Sequence, residues 1–181
     1  MLLAPKKVTG VKDSTNGERF ELRFFGLKEI QRGKNPYSTN IHRGLEWCVV
    51  NNPFGLRPLH PAPNTMSDRT MLEVESKIQK RGGRLCIFCS VGTEIDYNRG
   101  IDGFFTWDNW DCVAHVVTFD LTSFDFDRSN NGYKSKFLAD LLIVEGDLDD
   151  TFLFNQLAKQ IARQIDNPKA VHYLPSLAEI K

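Results

Sequence analysis

Two β-rich runs separated by a turn-forming stretch constrain this chain most. The first reads Gly100-Ile101-Asp102-Gly103-Phe104-Phe105 and the second Val116-Val117-Thr118-Phe119-Asp120-Leu121-Thr122, with Asp108-Asn109-Trp110-Asp111 as the turn. Antiparallel pairing sets the start of one run beside the end of the other. Asp102 and Asp120 are therefore expected to be neighbours at one end of a sheet. No other pair of carboxylates in the chain has so direct a structural reason to meet. Alternation along the second run puts Val113, His115, Val117, Phe119 and Leu121 on one face, and Ala114, Val116, Thr118, Asp120 and Thr122 on the other. His115 thus points away from Asp120 and reads as a core or edge histidine.

The flanking elements follow from periodicity. Met71, Val74 and Ile78 have the spacing of a buried helical stripe, which predicts a helix from about Arg69 to Arg81. Ser67 or Asp68 would cap it and Gly82-Gly83 would stop it. Glu73 pairs outward with Lys77. Glu75 lies at the edge of the apolar stripe, either as a boundary residue whose stem covers the core or as a carboxylate offered to a site. Leu85 to Val91 is a continuous apolar run and reads as a central strand. Residues 92–99 form a connection in which Asp96 is either a turn former or a further site carboxylate. Phe137 to Val144 reads as a fourth strand, and residues 145–150 as a break. Asp149 or Asp150 would cap a last helix, Thr151 to Ile165, that buries Phe152, Leu153, Leu157, Ile161 and Ile165 and ends at Asn167-Pro168.

Residues 1–43 hold nine Lys and Arg against four Asp and Glu. Within them, Asp13 to Gly17 is turn chemistry, and Arg19 to Phe24 alternates like a half-buried strand. Leu45 to Val50 is a second short β-like run, and the Pro-rich stretch Asn51 to Thr65, which carries His60, is a long irregular connection. The expected organisation is an N-terminal basic β extension with the Pro-rich loop (1–66), an α+β core (67–166) and a C-terminal tail (167–181). Over the whole chain Lys plus Arg equals Asp plus Glu, 23 each. Global basicity is excluded, so nucleic-acid binding would need a local patch. The absence of an apolar run of about 18 residues argues against a membrane span and for a soluble, cytoplasmic protein. Cys86 and Cys89 form a CxxC on a strand, where positions three apart face opposite ways, and no second CxxC or CxxH completes a zinc site. With Cys48 and Cys112 they read as reduced, buried thiols.

Two carboxylates at one end of a hairpin, with a third from a helix, form an oxygen-rich set suited to Mg²⁺ or Mn²⁺. Such an ion can polarise a phosphate oxygen and acidify a bound water. The order of elements and the acidic positions resemble the PD-(D/E)xK superfamily of restriction-endonuclease-like nucleases, over roughly Met71 to Val144. The resemblance rests on Glu75, on Asp102 in Gly100-Ile101-Asp102-Gly103-Phe104-Phe105, and on Asp120 in Thr118-Phe119-Asp120-Leu121-Thr122. It implies a mixed four-stranded sheet flanked by helices, a metal held by Glu75, Asp102 and Asp120, and hydrolysis of nucleic acid, DNA rather than RNA. It also implies that such small proteins are often encoded by phage or mobile elements. Two residues after Asp120 the family places a lysine, and here stands Thr122. Lys134 or Lys136 is the candidate substitute, because the family's lysine can migrate to another element. The family's helix between the third and fourth strands is here missing or reduced to residues 123–136.

Three readings remain open on the sequence. One is a metal-dependent nuclease whose basic first 43 residues, or a homodimer partner, hold the phosphate backbone. The second is a non-cutting relative that binds nucleic acid or a protein. The third is an unrelated α+β interaction protein, for which Asp102 and Asp120 would lie too far apart to share an ion.

Overall fold

A computed structural model of the chain describes residues 14–29, 40–51, 63–79, 82–108, 115–123 and 139–168. Its elements are α1 (Ser14–Phe25), α2 (Ile41–Val50), α3 (Met66–Glu75), β1 (Arg84–Cys89), α4 (Glu94–Arg99), β2 (Gly103–Asp108), β3 (His115–Thr122), β4 (Leu141–Val144), α5 (Glu145–Asp149) and α6 (Thr151–Asp166). Among the described residues the strands form one mixed sheet in the order β1-β2-β3-β4. β1 to β3 are antiparallel neighbours, whereas β4 lies parallel to β3. The α+β architecture expected from the sequence is present, with helices on both faces of the sheet.

Strand alternation divides the core in two. Leu85, Ile87, Phe105, Val117, Phe119, Leu121, Leu141 and Ile143 face α1, α3 and α6. Cys86, Phe88, Phe104 and Val116 face α2 and α4, through Leu45, Cys48, Val49 and Ile95. Cys86 and Cys89 therefore lie in opposite layers, as expected of strand positions three apart. Cys48, Cys86 and Cys89 are buried free thiols, and burial pushes the Cys48 thiol up to about 12. Cys112, His60 and residues 137–138 of the expected fourth strand lie outside the described residues.

The N-terminal segment corrects the β extension. Residues 14–25, which include the expected strand 19–24 and part of the expected turn, form helix α1. Phe20, Phe24 and Phe25 sit at i, i+4 and i+5, a spacing a helix can bury on one side. All three phenylalanines are buried in the main core, so α1 belongs to the core and is no appendage. Gly26 ends it at φ 68. Its N–H donates to the Arg23 carbonyl, and the Leu27 N–H donates to the Leu22 carbonyl, which is the Schellman pattern that satisfies a helix C-terminus. The second β-like run, 45–50, lies in helix α2, where Leu45, Cys48 and Val49 are buried at helical spacing and Asn40 accepts from the Arg43 N–H as N-cap.

Other boundaries move for local reasons. α3 starts earlier than expected because Thr65, rather than Ser67 or Asp68, caps it by accepting from the Asp68 N–H. It ends at Glu75, and Ile78 packs on the core from the segment beyond. The Glu73–Lys77 pair forms as expected. β1 is an edge strand in the sheet order, not a central one; its helical cover on both faces buries it like a central strand. The connection 92–99 holds helix α4, and the break at 145–150 holds α5. Asp150 caps α6 by accepting from the Phe152 and Leu153 N–H groups. Leu157, Ile161 and Ile165 of α6 are buried as expected, whereas Phe152 is 68% exposed and Leu153 is also exposed. Phe154, three residues before Leu157, packs on the core in their place.

Gly103 begins β2 where no side chain fits. A Cβ there would stand 2.5 Å from Phe119 Cζ, 2.7 Å from the Phe88 carbonyl oxygen and 2.8 Å from Phe25 Cζ. The carbonyl belongs to the paired strand and cannot rotate away. Gly103→Ala is expected to lower stability by about 1–3 kcal/mol or more through overpacking, read by urea denaturation. Wild-type stability in that variant would show that the crowding at the start of β2 is relieved without cost.

Candidate functional site

The β2–β3 pairing sets Gly103 opposite Phe119, so that register continued outward would pair Asp102 with Asp120. The Asp102 N–H donates to the Phe119 carbonyl at 2.9 Å, one residue out of that register, so Asp102 and Gly103 both stand opposite Phe119 as in a β-bulge. The neighbour relation expected from the sequence is present. The Asp102 and Asp120 carboxyls lie close enough for each to shift the other's protonation.

Asp102 is held from several sides. Its Oδ2 accepts the Leu121 N–H at 2.6 Å. Its carbonyl accepts the Ser90 N–H at 2.8 Å, and Ser90 Oγ donates to the Ile101 carbonyl at 2.6 Å. The end of β1 thus grips the chain that delivers Asp102, which is 3% exposed. Asp96 comes from the first turn of α4. Its Oδ2 accepts the Gly92 N–H at 2.8 Å, closing the turn before the helix, and its carboxyl lies close enough to that of Asp102 to shift its protonation. Gly100, at φ 60, ends α4 and turns the chain so that Asp96 and Asp102 meet. Asp96 therefore fills both roles left open by the sequence: it shapes the turn and it joins the acidic group.

The fourth member is Glu21 of α1, whose carboxyl feels the charges of Asp96 and Asp120. It stands on the same helix as Phe20 and Phe24, which bury that helix against the sheet. Glu75, which the sequence leaves as either a boundary residue or a site carboxylate, is exposed on α3; the carboxylates acting on Asp102 are Asp120, Asp96 and Glu21. Residues 19–24 alternate like a strand, which hides α1 as a helix that offers an acid. The signal that could have found it was Phe20-x-x-x-Phe24-Phe25-Gly26, a helical stripe followed by a C-terminal glycine. Lys134 and Lys136 lie outside the described residues.

Burial is the main reason these acids hold their protons, and their mutual repulsion adds to it. Glu21 is raised from 4.5 to about 7 by burial, with Asp96, Asp120 and Glu18 adding to the shift. Asp120 is raised from 3.8 to about 6 by burial, against hydrogen bonds from Asp102 and the Leu121 N–H that lower it. Asp102 is raised well above the ordinary carboxylate range by burial and then by Asp120, Asp96 and Glu21. Asp96 is raised by burial, opposed by its Gly92 and Asp102 hydrogen bonds. Among the described residues no three Asp, Glu, His or Cys groups already stand as a metal cage.

Beside the group, Thr118 and Asp140 tie β3 to the entry of β4. Asp140 Oδ2 accepts both the Thr118 N–H at 3.0 Å and the Thr118 hydroxyl at 2.9 Å. Sequence reasoning gave no sign of this clamp. His115 behaves as expected: it is half-buried with its Nδ1 2.9 Å from the Ile165 carbonyl, away from the acids. Among the described residues no helix is long and apolar enough to cross a membrane. Comparison of the chain with protein-family models, curated proteins and solved structures finds no match.

Acids with raised folded values leave the folded state holding more protons than the unfolded chain. For Glu21 and Asp120 this holds between the ordinary carboxylate range near 4 and about 7. Across that window stability falls as pH rises, and the loss is complete above the folded values. Glu21→Gln is therefore expected to be about 1–3 kcal/mol more stable than the wild type near pH 8, after discounting for its partly exposed position, and nearly equal to it near pH 4. Urea denaturation at the two pH values reads the difference. A variant less stable than wild type near pH 8 would contradict the assignment of Glu21 to the repelling group.

Proposed function

We propose that the protein is a divalent-metal-dependent phosphodiesterase acting on nucleic acid, DNA rather than RNA, with a restriction-endonuclease-like core. The observation that carries the reading is the convergence of four carboxyls, Glu21, Asp96, Asp102 and Asp120, from four separate segments onto one end of the β2–β3 hairpin. The order helix, three antiparallel strands and a parallel fourth supports it, as does the resemblance of the Asp102 and Asp120 motifs to PD-(D/E)xK nucleases. A structural role does not call for four mutually repelling acids, two of them buried and two half-buried, because each costs stability once ionised.

The donor set suits Mg²⁺ or Mn²⁺: it consists of hard carboxylate oxygens. Asp102 and Asp120 would hold the ion, with Glu21 and Asp96 beside them. A bound ion supplies Lewis-acid polarisation of a phosphate and acidification of water. The chain's own residues have separate tasks. Asp102, fixed by the Leu121 N–H and the Ser90 bonds, keeps its carboxyl in one place through the reaction. Glu21, raised to about 7, is poised to take up a proton near neutral pH. Displacement of the acids' protons by a cation would make metal affinity rise with pH.

A second reading, nucleic-acid or protein binding without cutting, is favoured by Thr122, which stands where the resembled family places its lysine. Lys134 or Lys136 would have to supply that charge for cleavage.

Cleavage of plasmid and single-stranded DNA in Mg²⁺ or Mn²⁺ is expected for the wild type. Asp120→Asn should abolish it while leaving DNA affinity intact or raised, because a negative charge beside the phosphates is deleted. Undiminished cutting by that variant would remove Asp120 from the chemistry, and wild-type binding without cutting would favour the second reading. Mn²⁺ should also raise the melting temperature of the wild type near pH 8 and much less near pH 5, where protons compete for the same oxygens. An equal rise at both values would place the ion elsewhere.

A further inference from the structure

Helix α4 does more than deliver Asp96. Side chains advance by about 100° per residue around a helix, so the positions on either side of Asp96 follow from the sequence. Ile95 faces the α2/α4 core and is buried. Arg99 falls about 60° from Asp96 on the side toward Ile95, and Tyr97 about 100° from it on the outward side. Arg99 is accordingly half-buried, and Tyr97 is 64% exposed. Among the described residues neither the Tyr97 side chain nor the Arg99 guanidinium has a hydrogen bond, ion pair or ring contact. Among the described residues an aromatic ring and a cation thus stand without partners on the two flanks of an acid that belongs to the carboxyl group.

Resting on the phosphodiesterase reading, we infer that α4 seats an unpaired nucleic-acid strand across the acidic group, with Tyr97 stacking on a base and Arg99 pairing with a backbone phosphate. The two contacts are chemically complementary to one strand. A base has an apolar face at every position, so an exposed tyrosine holds it without regard to sequence. A guanidinium matches a phosphate through parallel hydrogen bonds and offsets the repulsion that the acids exert on the strand. A stacked base in an intact duplex is inaccessible to Tyr97, which makes single-stranded or frayed substrate the preferred class.

The test uses the full chain, a fluorescein-labelled single-stranded oligodeoxynucleotide, and EDTA to prevent cutting. Tyr97→Ala is expected to weaken binding about tenfold, and Tyr97→Phe to restore it. Arg99→Ala should weaken binding and reduce the dependence on salt by about 0.7 in the logarithmic slope, the value for one phosphate contact on a single strand. The matching duplex should bind more weakly and respond little to Tyr97→Ala. Circular dichroism melting verifies that the variants are folded. Wild-type affinity in both alanine variants, or no binding of the single strand by the wild type, would overturn the inference. Tyr97-dependent binding by a protein that never cuts would uphold this site and defeat the nuclease reading. Cutting with an unchanged KM in Tyr97→Ala would defeat this site alone.

Discussion

The hydrogen bond from the Leu121 N–H to Asp102 Oδ2 is where fold and site meet. It holds a carboxyl that is almost wholly withdrawn from water at the mouth of a hairpin. Every other acid of the group is placed by its relation to that carboxyl. Asp120 lies beside it at the end of β3, Asp96 reaches it from the first turn of α4, and Glu21 approaches from α1. Burial of this kind is unfavourable for ionised groups, and one bonded N–H does not offset the repulsion among four. The acids escape that repulsion by keeping protons. Such an arrangement attracts positive charge, whether it arrives as a proton or as a divalent ion.

The hydrophobic layers explain how chain segments so far apart in sequence reach one point. Phe20, Phe24 and Phe25 bury α1 against Phe119 and the neighbouring strands, with the Phe25 and Phe119 rings stacked. Glu21 is carried to the end of the sheet by that packing. On the other face Ile95 and Ile101 bury both ends of the α4 segment, so that Asp96 and Asp102 are placed by the apolar residues that precede them. Gly103 admits the Phe119 and Phe25 rings next to Asp102. The acids lie at the rim of the core and their apolar neighbours lie in it, which is the usual division between support and chemistry on a rigid element.

The hairpin was legible in the sequence because period-two alternation with a turn between is a local signal. It set the Asp102–Asp120 relation, the face of His115 and the opposite placement of Cys86 and Cys89 without any tertiary information. The last helix and its Asp150 cap were legible for the same reason. What the sequence concealed was longer in range or ambiguous in period. Arg19 to Phe24 alternates as a strand does, yet Phe20, Phe24 and Phe25 also satisfy a helix, and packing against Phe119 decides for the helix. Leu45 to Val50 has β-branched residues but buries Leu45, Cys48 and Val49 on one helical side. The same ambiguity hides Glu21 as a helix acid. The partnership of Thr118 with Asp140 joins residues 22 apart and leaves no local trace at all.

Anomalous scattering from crystals grown near pH 8 and soaked in Mn²⁺ decides whether the acidic group takes a metal ion. One Mn²⁺ ion is expected on oxygens of both Asp102 and Asp120 at about 2.2 Å. Ions found only on exposed acids such as Glu75, and none on Asp102 or Asp120, would contradict it.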